Sequence, residues 1–387
     1  MTLDPTARRY DLDWLRIVAF GLLILYHVGM FYVTWGWHVK SVYASPSVEP
    51  LMSLVNPWRL ALLFFISGVA IRFATDKAGS LGRFAWSRVA RLGLPLLFGI
   101  YFWVMPQAYY EVRQSGEFSG SIIAFFPNYA AYEQTFSTIT PTWNHLWYLA
   151  YVLIYILIAL AVLPWLRSVP ESRAWQWLTS RPPVLVFVLI LPFVVNETWL
   201  SPLFPTTHEL INDWAHHASR FMVFLMGFFA AKDARFWRSV DRVWKLMPLL
   251  AVAAFLLLMN GQDIADRGRH FLSETQLRFF FSYAMVIYAW SCILALLGFG
   301  QRFLNRESPL LRYLTGAIFC YYVLHQTITV VAGYYLTEYR LGVVLESALV
   351  LAVTVAGCVL GYELIRRVPG VAILFGVHKV SGFRSGR

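Results

Sequence analysis

The sequence has little charge for its length and no long polar stretch. Of its 387 residues, 14% are charged and 58% are hydrophobic. A soluble protein of this size needs far more polar surface, so the composition excludes an ordinary soluble enzyme. It predicts an all-α fold, in which apolar helices cross a membrane repeatedly. We expect residues 1–387 to form a single integral-membrane domain, because no segment is polar enough to build a separate soluble core.

Cysteine is scarce as well. Cys292, Cys320 and Cys358 lie inside apolar segments, and an odd number without metal-ligand spacing excludes a disulfide framework. They read as small buried apolar residues. We expect no metal site and no tightly bound cofactor. The sequence also lacks an internal repeat, which weakens a transporter interpretation, because many transporter folds are built from repeats.

About ten apolar segments have the length of a membrane-spanning helix. Their predicted ranges are 14–35, 51–72, 90–109, 145–166, 183–200, 218–232, 246–260, 277–299, 311–333 and 342–364. Four prolines fall near the ends of these spans or are expected to kink them. These are Pro95, Pro106, Pro192 and Pro248.

The net charge of +11 comes from short basic clusters that recur between the apolar segments. This distribution argues against nucleic acid as a partner and indicates membrane topology instead. Most of the basic residues fall on one side of the predicted spans. That bias places both termini in the cytoplasm. The opposite loops hold Lys40, Arg113, Arg267, Arg269, Arg278 and Arg340.

Arg16 and His27 are the most informative pair in the chain. Eleven helical residues are close to three turns, so the two side chains share one face of the first span, about 16 Å apart. Ionisable groups at membrane depth are costly and default to a functional hypothesis. His27, in the predicted outer half of the span, could accept a proton from a hydroxyl. The alternative is a structural histidine bonded to a neighbouring helix.

Three other arginines are candidates. Arg88 and Arg91 lie one turn apart at the predicted cytoplasmic start of the third span, where paired guanidinium groups could hold phosphate. They could equally be topological anchors. Arg59 is predicted about 12 Å below the outer surface, at a depth close to that of His27. It could stabilise an oxyanion or bind a carboxylate of a substrate, or it could be an ion-paired structural arginine.

Aromatic and histidine side chains gather at the predicted outer ends of the spans. Tryptophan at this level usually belongs to an interfacial belt, but it can also stack on the face of a sugar. The candidates for contact with a sugar acceptor are Trp37, His38, His145, Trp147 and His325.

Together these residues resemble the membrane acyltransferase-3 superfamily. The resemblance rests on Arg-x10-His at Arg16 and His27, on FFISG at Phe64–Gly68 and on Arg-x-x-Arg at Arg88 and Arg91. Within the superfamily, the chain is most similar to members that succinylate osmoregulated periplasmic glucans. This closer similarity rests on four further segments: WHVKS (37–41), HLWYL (145–149), YVLHQTITVVAGYYLT (322–337) and YELIRRVP (362–369).

The resemblance implies a role for each element. A cytoplasmic acyl-CoA, as co-substrate, would place its phosphates on Arg88 and Arg91, with Arg16 lining the path to His27. His27 would deprotonate the acceptor hydroxyl or carry the acyl group transiently. The implied partners are membrane lipid, acyl-CoA and a periplasmic glucan, with glucan-synthesis proteins as further partners. Two alternatives stay open: an acetyltransferase for another envelope glycan, and a transporter or flippase without covalent chemistry.

Overall fold

The computed structural model describes residues 8–377, and over this range the chain contains helices and no β-strand. In chain order, the α-helices are α1 (Tyr10–Met30), α2 (Glu49–Asp76), α3 (Leu81–Phe98), α4 (Met105–Gln114), α5 (Ile122–Ala130), α6 (Trp147–Ala161), α7 (Leu163–Ser168), α8 (Arg173–Ser180), α9 (Pro182–Phe187), α10 (Leu191–Val195), α11 (Trp214–Ala230), α12 (Ala234–Val243), α13 (Met247–Met259), α14 (Gly261–Gly268), α15 (Glu274–Phe299), α16 (Pro309–Leu336), α17 (Val343–Ile365) and α18 (Pro369–Leu374). Short π-helical segments extend α3, α10 and α15 at Gly99–Trp103, Asn196–Leu200 and Gly300–Leu304.

Within residues 8–377, eight helical segments are long and apolar enough to cross a membrane. A ninth exists if α12 and α13, which are bent by 70° at their junction, form one span. The prediction of about ten spans differs from the structure at one further helix. The predicted sixth span corresponds to α11, which has 17 residues, somewhat fewer than a typical span needs. The all-α, multi-pass architecture is confirmed, whereas the orientation of the termini stays a prediction.

The four prolines lie where proline chemistry favours them. Pro106, Pro192 and Pro248 each occupy the first turn of a helix, where the missing N–H leaves no hydrogen bond unmade. Pro95 lies inside α3, just before the helix widens into its π-helical segment. Proline inside a helix removes one backbone hydrogen bond, which accounts for an irregularity at this position.

The chain forms two units. Among the described residues, the first contains 8–22, 50–85 and 154–311. Within it, α2 and α11 approach each other through two glycines. A Cβ atom on Gly68 would lie 1.9 Å from the carbonyl oxygen of Phe224, and one on Gly227 would lie 1.9 Å from that of Phe65. Backbone contact this close requires glycine, which explains the glycine of the FFISG segment.

The second unit contains, within the part of the chain that the structure describes, residues 23–49, 86–153 and 312–377. Its core joins the end of α1 to α16 and α17 through a cluster of buried side chains. These are Val28, Phe31, Tyr32, Val39, Val330 and Val350. The loop after α1 is held in place by Ser41, whose hydroxyl donates to the buried Glu346 carboxylate at 2.5 Å.

Lys40 closes the end of α1. Its ammonium group donates to the carbonyl oxygens of Met30 and Val33 at 2.7 and 2.8 Å, which satisfies acceptors that a helix end leaves unpaired. Burial lowers the pKa of Lys40 to about 8, and the Glu49 carboxylate opposes part of that effect. The helix α1 thus ends at Met30, and His27 lies less than one turn from that end. In the predicted span of 14–35, His27 lay farther from the end of the helix.

Candidate active site

His27 and His325 form a direct hydrogen bond within the second unit. The Nδ1 atom of His27 lies 2.9 Å from Nε2 of His325, and the two ring planes are within 15° of each other. His27 is half-buried, whereas His325 on α16 has no exposed surface. The end of α1 is therefore joined to the middle of α16 by two imidazole rings.

The hydrogen bonds determine which nitrogen of each ring carries a proton. Nδ1 of His325 lies 2.7 Å from the carbonyl oxygen of Tyr322. Because a carbonyl only accepts, this nitrogen must carry the hydrogen, and Nε2 of a neutral His325 is then an acceptor. His27 must donate from Nδ1 to that acceptor. In a neutral His27, Nε2 is therefore the unprotonated, basic nitrogen, as a general base requires.

His145 is fixed by the same kind of argument. Its Nε2 donates to the carbonyl of Val323 at 3.2 Å, and its Nδ1 accepts from the Gln107 amide at 3.5 Å. The hydroxyl of Tyr322 donates to the carbonyl of His145. The ring is 6% exposed and packs edge-on against His325, with centroids 5.1 Å apart. His145 therefore supports the His325 ring from the side.

Gln107 is the centre of a buried amide network. Its amide nitrogen donates to the Thr327 hydroxyl at 2.7 Å, and its oxygen accepts from Asn144 and from Gln326, both at 2.9 Å. With the bond to His145, all four of its hydrogen-bonding positions are used. A fully satisfied buried network is rigid, so Gln107 fixes α4 and α16 relative to each other.

His38 connects this network to a carboxylate. Its Nδ1 lies 2.5 Å from Oε2 of Glu111, and its Nε2 accepts from the Gln326 amide at 3.0 Å. The ring of Trp37 lies close to both His27 and His38, with its centroid 6.3 Å from that of His27 and 5.6 Å from that of His38. Trp37 and His38 both keep part of their surface exposed.

Burial separates the predicted acceptor contacts into two groups. His325, His145 and Trp147 are 0%, 6% and 8% exposed. Trp147 packs edge-on against Tyr151, with centroids 5.0 Å apart. Trp37 and His38 therefore have more accessible surface than these three residues, and the contact of all five with a sugar stays a prediction.

Arg16 lines a cavity of about 510 Å³ in the first unit. Its guanidinium lies 3.6 Å from Asp13 and is 28% exposed. The cavity has one apolar wall, made by residues of α2 that include Ile66, Val69 and Phe73. Its charged residues are five cations and two carboxylates. These are Arg8, Arg9, Arg16, Lys77 and Lys232 with Asp13 and Asp76.

Two of the other predicted arginines lie within α3 and not at its start, because the helix begins at Leu81, earlier than the predicted span of 90–109. Arg88 is half-buried and Arg91 is exposed, one turn apart on the same helix, as the spacing predicted. Arg59 is 2% exposed within α2. It belongs to the first unit, whereas His27 belongs to the second, so its predicted place beside His27 stays a prediction.

Comparison with known proteins identifies the family. A family model described as an acyltransferase domain, of the acyltransferase-3 type, matches residues 9–363. The chain belongs to the acyltransferase-3 family. Its relatives include glucans biosynthesis protein C of Salmonella agona and of Salmonella dublin. Each is 23% identical over 385 residues, which cover 97% of this chain and 96% of the relative. No solved structure matches the chain.

Four residues of this membrane acyltransferase were missed by sequence reasoning. Gln107, Glu111 and Gln326 build the network behind the histidines, and Tyr322 supplies both its carbonyl and its hydroxyl. The available signal was the spacing of Gln107 and Glu111, two polar residues one turn apart at the end of an apolar segment. It was overlooked because the third span was predicted to end at residue 109, whereas α4 continues to Gln114.

Proposed function

We propose that this membrane acyltransferase transfers a succinyl group from cytoplasmic acyl-CoA to a hydroxyl of a periplasmic glucan, in the bacterial inner membrane. One observation carries the proposal. The series of hydrogen bonds from His27 through His325 to the Tyr322 carbonyl makes Nε2 of His27 the basic nitrogen of its ring. The family supplies the reaction class, and the relatives named for glucan biosynthesis suggest the acceptor.

Two routes use this nitrogen. In direct transfer, Nε2 takes the proton of the glucan hydroxyl while its oxygen attacks the thioester carbonyl. The carbon–sulfur bond then breaks, and the departing thiolate takes the proton from His27. In the covalent route, Nε2 attacks the thioester carbon, the carbon–sulfur bond breaks and the CoA thiolate leaves. The oxygen of the glucan hydroxyl then attacks the acyl carbon and the carbon–nitrogen bond breaks. The released Nε2 takes the hydroxyl proton and passes it to the thiolate. Both routes start from the same tautomer of His27.

The cavity beside Arg16 fits the donor end of this reaction. Acyl-CoA carries several phosphate groups, and five cations against two carboxylates give the cavity an excess of positive charge. Its volume lies within the range of about 300–1,000 Å³ that is usual for small-molecule sites. The apolar wall of α2 suits the pantetheine arm. Arg88 and Arg91 are a second set of phosphate ligands that we propose for the same donor.

We assign the remaining residues by their exposure. Trp37 and His38 contact the glucan, because they are the predicted acceptor residues with exposed surface. His325 and His145 hold His27 in its tautomer and orientation, and Trp147 packs behind them. Arg59 contacts the acyl group, where its charge would pair with the distal carboxylate of succinate.

The direct test is glucan modification in a deletion strain. Complementation with the wild-type gene should restore succinylated periplasmic glucans, as measured by mass spectrometry. A His27→Ala variant should restore none while it accumulates to a normal level in the membrane. His270→Ala, which replaces an exposed histidine, is the matched control and should behave as wild type. Full modification by His27→Ala would remove His27 as the catalytic residue.

Arg59 distinguishes succinyl from acetyl transfer, which is the second candidate function. An Arg59→Ala variant should lose turnover of succinyl-CoA selectively if the arginine binds the distal carboxylate. An equal loss with acetyl-CoA would assign Arg59 a structural role instead. Purified protein that binds acyl-CoA without cleaving it in the presence of glucan would contradict acyl transfer and favour a transporter or flippase.

A further inference from the structure

A second cavity in the first unit, of about 240 Å³, contains a half-buried arginine whose hydrogen-bonding capacity is not fully used. Arg220 lines it from α11, and the buried Nε atom has no hydrogen-bond partner among residues 8–377. A charged side chain at this depth is costly unless another group satisfies it. Arg220 belongs neither to the proposed acyl-CoA path nor to the histidine network. That network consists of His27, His38, His145 and His325 with Gln107, Gln326 and Glu111. The position therefore calls for a ligand.

The polar residues of the cavity lie at one end. Arg220 is six residues into α11, about 9 Å from its start, and Glu197 lies near the end of the span at Pro182–Leu200. Asn56 and Ser219 line the same region. Of the acidic groups around it, Glu197 acts most strongly on the charge of Arg220. One cation and one carboxylate therefore face the cavity at the predicted outer end of the helices.

The other end of the cavity is apolar and long. Met285, Ala289 and Ile293 lie on one face of α15 at intervals of four residues, which extends that wall by about 12 Å along the helix. Met226 of α11 faces the same region. Met285 is 40% exposed, whereas Ile293 is 2% exposed. The wall therefore leads from the membrane-facing surface into the helix bundle.

We propose that this cavity binds a phospholipid with a zwitterionic headgroup. The lipid phosphate would accept hydrogen bonds from Arg220, a primary ammonium group would face Glu197, and one acyl chain would follow the α15 face. Charge complementarity selects this ligand. A simple anion such as a fatty-acid carboxylate would satisfy Arg220 but would be repelled by Glu197, whereas a headgroup of both signs matches both residues.

The test uses the full-length protein, purified in detergent and stripped of lipid. It is incubated with phosphatidylethanolamine, phosphatidylglycerol or oleate, and bound lipid is counted by native mass spectrometry. Wild-type protein should retain phosphatidylethanolamine about tenfold more than phosphatidylglycerol. Arg220→Gln should lose at least tenfold of this binding, and Arg220→Lys should keep part of it. Arg278→Gln, which replaces an exposed arginine near the start of α15, should bind as wild type.

Glu197→Gln tests the ammonium contact with Glu197 separately from the phosphate contact with Arg220. It should remove the preference between the two phospholipids by raising retention of phosphatidylglycerol, while Arg220 still holds the phosphate. Equal retention of both lipids by wild type, or tighter binding of oleate, would overturn the zwitterionic assignment. Unchanged binding by Arg220→Gln would overturn the site itself. Thermal unfolding of each variant shows whether a loss of lipid reflects a loss of folding.

Discussion

The histidine network of the second unit and the Arg16 cavity of the first unit differ in the chemical groups that build them. The network is built from amides, hydroxyls and imidazoles, with Glu111 as its one carboxylate among the described residues, and its bonds fix ring orientation and proton position. The cavity is lined by charges, which include ion pairs such as Arg8–Asp13 and Lys232–Asp76, and it has an excess of cations. Under the proposed function, we expect the network to control proton transfer and the cavity to control donor affinity. Substitutions should therefore affect kcat in one region and KM for acyl-CoA in the other.

The largest effect after loss of His27 itself is expected at His325. His325→Ala removes the acceptor that holds Nδ1–H of His27, so both tautomers of His27 become available. We expect kcat to fall about 100-fold with KM for acyl-CoA unchanged. His325→Gln, which can still accept from His27, should recover part of kcat. A rise in KM for acyl-CoA without a fall in kcat would contradict the separate roles of the network and the cavity.

Arg16 should show the opposite pattern. Arg16→Gln removes one cation from the cavity, which should raise KM for acyl-CoA about tenfold and leave kcat nearly unchanged. Arg88→Gln tests the second phosphate site in the same assay, with exposed Arg83→Gln as the control. If Arg88→Gln raises KM and Arg16→Gln does not, the phosphates bind at α3 instead of in the cavity.

A substitution of Glu111 tests whether His38 and Trp37 contact the glucan acceptor. Glu111→Gln weakens the charge-assisted bond to His38, so His38 and Trp37 lose their fixed position. KM for the glucan should rise about five- to tenfold, with KM for acyl-CoA unaffected. Steady-state kinetics at varied glucan concentration provide the measurement. An unchanged KM for glucan would remove His38 from the acceptor contacts.

The smallest kinetic effect is expected from the α2–α11 contact beside the cavity. Gly68→Ala forces a Cβ atom against the Phe224 carbonyl and should destabilise the fold by about 1–3 kcal/mol. KM for acyl-CoA should rise slightly, because Ile66 and Val69 on the cavity wall flank this position. Gly21→Ala, where no atom lies within 4 Å, should be neutral or stabilising. Equal melting temperatures for the two variants would contradict the close backbone contact.

Sequence reasoning succeeded where one helix determines the answer. The all-helical, multi-pass architecture and the prolines at helix starts follow from periodicity and composition, whereas the count of about ten spans is not confirmed. The network could not be predicted in the same way, because it joins α1, α4 and α16 with the loop that carries His38. His325 was recognised as a candidate, but its bond to His27 depends on how α1 packs against α16. Arg8, Arg9, Lys77 and Lys232 looked like topological anchors until the cavity brought them together.

The proton position on His27 is the central claim, and it can be measured directly. Nitrogen-15 NMR of the purified protein with labelled histidine, assigned by comparison with a His27→Gln variant, reports which ring nitrogen is protonated. The bond to His325 predicts that neutral His27 carries its proton on Nδ1 and that Nε2 is unprotonated. A proton on Nε2, with Nδ1 unprotonated, would contradict the hydrogen bond to His325 and the mechanism that depends on it.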